Sequence, residues 1–312
     1  MSELVLFSGN AHQGLAERIC SHLDIKLGEA FVSRFSDGET RVELRTNIRG
    51  RDVYVVQPTC APVNHALMEA LIIVDACRRA SAQNITLVVP YFGYARQERK
   101  SAPRTPITAK LIAELMESAG ITRLLTLELH NAAIQGFFNV PVDHLFVKPV
   151  FANYFNHLRD EGVVIVSPDA GGVERARAMA KHLQCSLAIV DKRRDGPNEC
   201  EVSNIVGDVK GKLCLIIDDI IDTGGSLVKA TDALLASGAR EVHAAITHPV
   251  LSGRAVANIS ESALVQLVVT DSIPLSREAE KCSKIKQITI SKLLAEAILR
   301  IHNFDSVSSL FV

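Results

Sequence analysis

Short, nearly unbroken apolar runs alternate along this chain with stretches whose apolar positions recur every three or four residues. The first pattern marks strands covered on both faces, the second amphipathic helices. The spacing predicts strands over Glu3–Phe7, Thr40–Leu44, Val53–Gln57, Ile85–Tyr91 and Arg123–Leu129, with an extended segment at Ala30–Phe35. Helices are predicted over Gly14–Leu23, His65–Ala80 and Thr108–Ala119. Near Val147 the pattern restarts with a helix to His157, a strand Val163–Val166, a helix Gly172–His182 and a strand Ser186–Val190. A strand Leu213–Ile217 and a helix beyond Ser226 follow, then strands Val242–Thr247 and Leu264–Val269 and a helix Ser291–His302. Such alternation predicts an α/β fold with mainly parallel sheets flanked by helices. The restart divides the chain into domains 1–146 and 147–312.

A faint repeat supports that division. RDVYVVQPT, a helix and ITLVVPYFGYA parallel GKLCLIIDDI, a helix and EVHAAITHPVLSG. The first copy lacks the acids and the TGG of the second.

The second copy holds the most pointed chemistry. Asp218 and Asp219 follow the apolar run, and Asp222, Thr223, Gly224, Gly225 and Ser226 lead into a helix. Backbone N–H groups at a helix N-terminus suit a phosphate, because unpaired donors and the positive dipole end coincide. The adjacent acids suit ribose hydroxyls or a hydrated magnesium ion. An ordinary βα turn with an acidic rim is the plainer alternative. A related loop, Asp169, Ala170, Gly171 and Gly172, suits a diphosphate, although an Asp helix cap would look the same. Lys192, Arg193 and Arg194 form a run of cations that would neutralise charge on a transferring polyphosphate. The segment Tyr91–Lys100 mixes aromatics, an amide and cations, as a nucleobase and its phosphates require. FSDGE at Phe35–Glu39 reads by itself as a turn. His130, at a strand end, is a candidate metal or phosphate contact.

Composition narrows the partners. The 312 residues are 47% hydrophobic and 22% charged, with a net charge of −1. This describes a soluble globular protein and disfavours nucleic-acid binding through bulk electrostatics. No apolar run approaches a membrane span, and no signal peptide precedes the first strand. Seven scattered cysteines suggest reduced thiols and a cytoplasmic setting.

In order, FSDGE, YARQERK, LHNAAIQGFF, PDAGG, DKRR, DDIIDTGGS, THPVLSG and SVSSLF span essentially the whole chain. Together they make it resemble the ribose-phosphate pyrophosphokinases of the phosphate-activated class. The resemblance implies two tandem phosphoribosyltransferase-like domains. It also implies transfer of the β,γ-diphosphoryl group of ATP to the 1-hydroxyl of ribose 5-phosphate, yielding phosphoribosyl pyrophosphate and AMP.

The resemblance further implies roles at matching positions. Asp222 to Ser226 would grip the 5-phosphate, Asp218 and Asp219 the ribose hydroxyls, and Asp169 to Gly172 the diphosphate. His130 and Asp169 would hold Mg²⁺ on the ATP phosphates, and Lys192 and Arg194 would act in catalysis from a mobile loop. Adenine would lie between Phe35 and Arg96, with Asp37, Glu39 and Gln97 completing its pocket and the FSDGE residues coming from a neighbouring subunit. A homo-oligomer, a hexamer of dimers, follows. Inorganic phosphate as activator and ADP as inhibitor would use Lys100, Arg104, Gln135, Asp143, Ser306, Ser308 and Phe311.

The chain departs from the family pattern at Glu98, Glu128, Ala133 and Asp195-Gly196-Pro197. The last of these removes a cation from the catalytic loop and adds an acid. A phosphoribosyltransferase would share DDIIDTGGS without FSDGE or DKRR. A non-catalytic regulatory subunit would carry lesions where Lys192, Arg194, His130 and Asp169 stand intact.

Overall fold

A computed structural model describes residues 3–196 and 199–310; side chains at 160, 192–196, 199–203 and 309 fall outside the description. The chain forms two compact units, Met1–Phe146 with Ser272–Pro274 and Ile290–Val312, and Val147–Asp271 with Leu275–Thr289. The helix Ser291–His302 therefore belongs to the first unit, whereas the sequence pattern groups it with 147–312.

The first unit runs β1 (Leu4–Ser8), α1 (Gln13–Leu23), β2 (Ala30–Arg34), β3 (Thr40–Leu44), β4 (Asp52–Val56), α2 (Val63–Arg79), β5 (Asn84–Val89), α3 (Thr108–Ala119), β6 (Arg123–Leu127) and β7 (Val142–Leu145). Its sheet has the order β1-β4-β5-β6-β7, all parallel, and β2 and β3 form a separate antiparallel hairpin. All five residues of β4 are buried, as expected of a strand covered on both faces.

The second unit begins with α4 (Lys148–Phe155) and continues β8 (Val164–Ser167), α5 (Val173–Leu183), β9 (Ser186–Gly196), β10 (Glu199–Val206), β11 (Leu213–Ile221), α6 (Gly225–Ala236), β12 (Glu241–Pro249), α7 (Ala255–Glu261), β13 (Gln266–Thr270), α8 (Arg277–Lys281) and β14 (Ile285–Ile288). Its sheet order is β10-β9-β8-β11-β12-β13-β14, parallel except for the β9–β10 pair.

The two lists repeat one plan. Strand, helix, antiparallel pair, strand, helix, strand, helix and strand recur in the same order, and β1-β4-β5-β6-β7 corresponds to β8-β11-β12-β13-β14. The hairpin β2–β3 is thus the counterpart of β9–β10. The repeat legible around β4 and β11 covers each whole sheet.

The plan closes in an uneven way. In the second unit α4, which precedes the sheet, packs on α5. In the first unit the equivalent cover for α1 is α9 (Ser291–His302), made last. Leu294 and Ile298 of α9 are fully buried, each contributing about 2 kcal/mol by removal from water. Nε2 of His22 lies 3.2 Å from Oγ of Ser291, and Nδ1 of His302 lies 3.2 Å from Oδ2 of Asp52.

Candidate active site

The carboxyl ends of parallel strands are where ligands enter α/β sheets, and Asp169, Asp218, Asp219, Arg96, Gln97 and His130 end or follow such strands in their own units. In the second unit β11 extends further than expected. Its apolar run predicts an end at Ile217, but pairing with β12 continues through Asp218↔Ile246, Ile220↔His248 and Ile221↔Pro249. Asp218 and Asp219 therefore sit within the strand, held by its ladder rather than by a free loop.

The two carboxylates share a cation that no sequence motif marks. Nη1 of Arg175, in the first turn of α5, lies 3.5 Å from Oδ1 of Asp218 and 3.4 Å from Oδ1 of Asp219. The Asp219 N–H also donates to Oδ1 of Asp218 at 2.9 Å. Burial, then the neighbouring Asp219 charge, pushes the Asp218 carboxyl above its ordinary range, with Arg175 pulling the other way.

Beyond β11, Gly224 adopts φ +76° and opens α6 without a capping side chain among the described residues. Glycine takes that left-handed conformation without steric penalty. The first N–H groups of α6 are consequently offered outward, as an anion site demands. Asp222 also braces its own loop. The Ser252 hydroxyl donates to its carboxylate, and the Ser252 N–H donates to its carbonyl at 3.0 Å. Nδ2 of Asn258 donates to the Thr223 carbonyl at 2.9 Å. Thr223 and Ser226 are exposed. Ser252 lies within THPVLSG, a signal that was present in the sequence; Asn258 carried none.

The PDAGG loop follows β8. Oδ1 of Asp169 accepts from the Gly172 N–H at 3.0 Å, and the Ser167 hydroxyl donates to the Asp169 carbonyl at 2.7 Å. These bonds close the turn ahead of α5, whose N-cap is Gly172 without a side-chain cap bond, and leave Ala170 and Gly171 exposed. A Cβ on Gly172 would stand 3.0 Å from Oγ of Ser167, so the tight approach depends on glycine.

Lys192 and Arg194 were expected on a loop after Val190. Their backbone instead continues β9 to Gly196, pairing antiparallel with β10 through Lys192↔Val202 and Arg193↔Glu201. Their side chains lie outside the described set.

In the first unit Phe35, Asp37 and Glu39 form the exposed tip of β2–β3. Oδ1 of Asp37 accepts from the Glu39 N–H at 3.1 Å, and the Arg41 guanidinium stands 5.7 Å from the Phe35 ring centroid. Arg96 and Gln97 are exposed beyond β5; Oε1 of Gln97 accepts from the Thr108 hydroxyl at 2.6 Å, at the start of α3. β6 ends at Leu127 rather than Leu129, because Glu128 turns to φ +45°. That turn precedes His130, which is exposed. Left-handed backbone at a buried, non-glycine residue is strained and recurs beside functional groups.

Of the regulatory set, Asp143, Ser306 and Ser308 line one surface cavity of about 340 Å³, together with Arg123 and Phe304. Nη1 of Arg123 lies 2.6 Å from Oδ2 of Asp143. Lys100, Arg104 and Gln135 belong to the same unit without lining it, and Phe311 lies outside the described residues.

Among the described residues no three His, Cys, Asp or Glu side chains converge on a cation. Magnesium takes one or two protein oxygens and fills its shell with water and substrate phosphates, and the Asp169 carboxylate has that donor chemistry. No helix among the described residues is long and apolar enough to cross a membrane.

Comparison with known proteins joins these features. A family model described as the N-terminal domain of ribose phosphate pyrophosphokinase matches residues 4–120, and one described as the phosphoribosyl synthetase-associated domain matches 196–312. The ribose-phosphate pyrophosphokinase of Neisseria meningitidis serogroup A is 54% identical over 99% of this chain and 94% of its own length. That of Oceanobacillus iheyensis is 51% identical over 99% and 98%. The crystal structure of phosphoribosylpyrophosphate synthetase from Mycobacterium smegmatis matches with a TM-score of 0.91 at 38% identity, covering 97% of this chain and 99% of that one. Identity above one half with such relatives over 99% of its length places this chain in the ribose-phosphate pyrophosphokinase family.

Proposed function

We propose that the chain transfers the β,γ-diphosphoryl group of ATP to the 1-hydroxyl of ribose 5-phosphate. The observation that carries the reading is the second unit's pair of helix entrances, α5 and α6, flanking Asp218 and Asp219. One entrance suits the 5-phosphate and the other a diphosphate, with the acids facing the sugar hydroxyls between them.

In the reaction the 1-hydroxyl oxygen attacks the β-phosphorus. The bond from that phosphorus to the α,β-bridging oxygen breaks, AMP leaves, and the hydroxyl proton passes to solvent. Positioning and charge stabilisation dominate such a transfer. The α6 N–H groups hold the 5-phosphate, and Asp218 and Asp219 accept hydrogen bonds from ribose hydroxyls and fix the ring. Ala170, Gly171 and Gly172 present backbone to the diphosphate. Lys192 and Arg194 meet the charge that spreads over the transferring oxygens. Phe35, Asp37 and Glu39 from a neighbouring copy, with Arg96 and Gln97, receive the adenine. Asp169 and His130 are the residues that would hold Mg²⁺, whose charge would offset that of the ATP phosphates.

The same reading makes the protein a cytoplasmic homohexamer of the phosphate-activated class. Inorganic phosphate and ADP act through the region of Lys100, Arg104, Gln135, Asp143, Ser306, Ser308 and Phe311. A phosphoribosyltransferase or a non-catalytic subunit is the weaker reading.

The test is AMP formation from ATP in Mg²⁺ and inorganic phosphate, with and without ribose 5-phosphate. AMP should appear only with the sugar, in step with phosphoribosyl pyrophosphate. No AMP across a metal and phosphate series would overturn the assignment.

A further inference from the structure

Glu69, on α2, is a buried carboxylate that none of the steps above uses. Its Oε1 accepts from the Asn10 N–H at 2.6 Å and from Nε2 of Gln57 at 2.8 Å, and its Oε2 accepts from Nδ2 of Asn10 at 2.8 Å. Gln57 Nε2 also donates to the Ala66 carbonyl at 3.2 Å, and Gln57 Oε1 accepts from the Ala11 N–H at 3.2 Å. Nδ2 of Asn10 makes a second bond, to the Val32 carbonyl on β2, at 3.3 Å.

Donor and acceptor counting gives this set one polarity. An ionised carboxylate only accepts, so both amides must turn their NH₂ groups toward it. Asn10 then has one hydrogen left, and that hydrogen reaches Val32. With Asn10 turned over, Oδ1 would face the Val32 carbonyl, two acceptors without a proton between them.

Val32 is a hairpin residue. Ala30, Val32, Val42 and Leu44 pack the hairpin against the first unit's core. Apolar packing is non-directional and leaves the register along the surface loosely set. The Asn10 bond is directional and adds to the Gly28 N–H bond to the Leu6 carbonyl, at 2.8 Å before β2, a restraint only three residues from Phe35.

We infer that Glu69 is a positioning residue for nucleotide binding: by fixing the Asn10 amide it fixes the β2–β3 hairpin, and through it the tip Phe35-Asp37-Glu39. The inference rests on the proposed nucleotide role of that tip. By the repeat, the loops after β1 and β4 that Glu69 ties are counterparts of those after β8 and β11. Here an internal carboxylate joins them.

The test compares KM for ATP, KM for ribose 5-phosphate, kcat and the thermal midpoint in the full-length enzyme carrying E69Q, N10A, E69Q/N10D or F35A. The amide introduced by E69Q would force Asn10 to turn over, so E69Q and N10A should each raise KM for ATP about three- to tenfold, the loss of one hydrogen bond. KM for ribose 5-phosphate should stay within about twofold. In E69Q/N10D the new amide on α2 donates to the new carboxylate after β1, remaking the tie between them. That carboxylate cannot donate to the Val32 carbonyl, so KM for ATP should remain high. A merely structural Glu69 would instead give a double variant that recovers KM for ATP, or single variants in which both KM values rise together; either result overturns the inference. Unchanged KM for ATP in E69Q and N10A, with F35A raising it, overturns the inference alone. Unchanged KM for ATP in F35A removes the nucleotide role of the hairpin tip and the inference with it.

Discussion

Nη1 of Arg175 stands 3.4 Å from Oδ1 of Asp219, a carboxylate whose side chain is 8% exposed. The same nitrogen serves Asp218, so one cation stands against two adjacent carboxyl groups. Arg175→Met keeps much of the apolar stem and removes that offset. The variant should lose about 1–3 kcal/mol of stability, the range for uncovering a partly buried charge. KM for ribose 5-phosphate should rise as the acids move apart. Urea denaturation and initial rates check the two effects separately.

Asp218 gives a pH dependence of definite sign. Its carboxyl is raised in the folded state by burial and by Asp219. The protonated form therefore favours the fold, fully below the ordinary carboxylate pKa of about 4. That contribution is lost as pH climbs toward the raised value. Without metal or sugar phosphate, Asp218→Asn should gain in Tm over the parent as pH rises from about 4 to about 8. A difference that stays flat across the range would contradict this.

Alanine at Lys192 or Arg194 should lower kcat about 10²- to 10³-fold, with far smaller changes in either KM. Cations aimed at charge that develops only in transfer contribute little to ground-state binding. A raised KM at unchanged kcat would place them in binding instead.

Asn258→Ala removes the bond to the Thr223 carbonyl and frees one side of the α6 entrance. KM for ribose 5-phosphate should rise about fivefold, the worth of one such bond, with KM for ATP steady. Product-inhibition constants for phosphoribosyl pyrophosphate, which carries the same 5-phosphate, should weaken in parallel.

The two-sheet plan was readable because parallel strands covered by helices are written as uninterrupted apolar runs. α3 and α9 were delimited to the residue by their apolar spacing. β11 was cut short because Asp218 and Asp219 break the hydrophobic run while the backbone goes on pairing with β12. β7 and β14 read VDHL and IKQI, strands of four residues, too short and polar to show a period. Within the site, the glycines and acids were legible as motifs. Arg175 was not, since one arginine on a helix rich in charge looks like solvated surface until Asp218 and Asp219 are placed beside it. Glu69 was hidden in the same way: its amide partners are 59 and 12 residues away, and only the fold brings them to it.

The packing of α9 on α1 has a consequence for biosynthesis. On the ribosome the first sheet emerges well before Leu294 and Ile298, so α1 lacks its apolar cover through the whole of the second unit's synthesis. Folding of this chain cannot proceed strictly from front to back. The second unit brings α4 with it and is complete at β14, whereas the first is sealed only when α9 returns to it. A nascent chain arrested after Phe146 should accordingly remain more accessible to protease than the same residues in the finished protein, and should be the stage at which a chaperone is most needed.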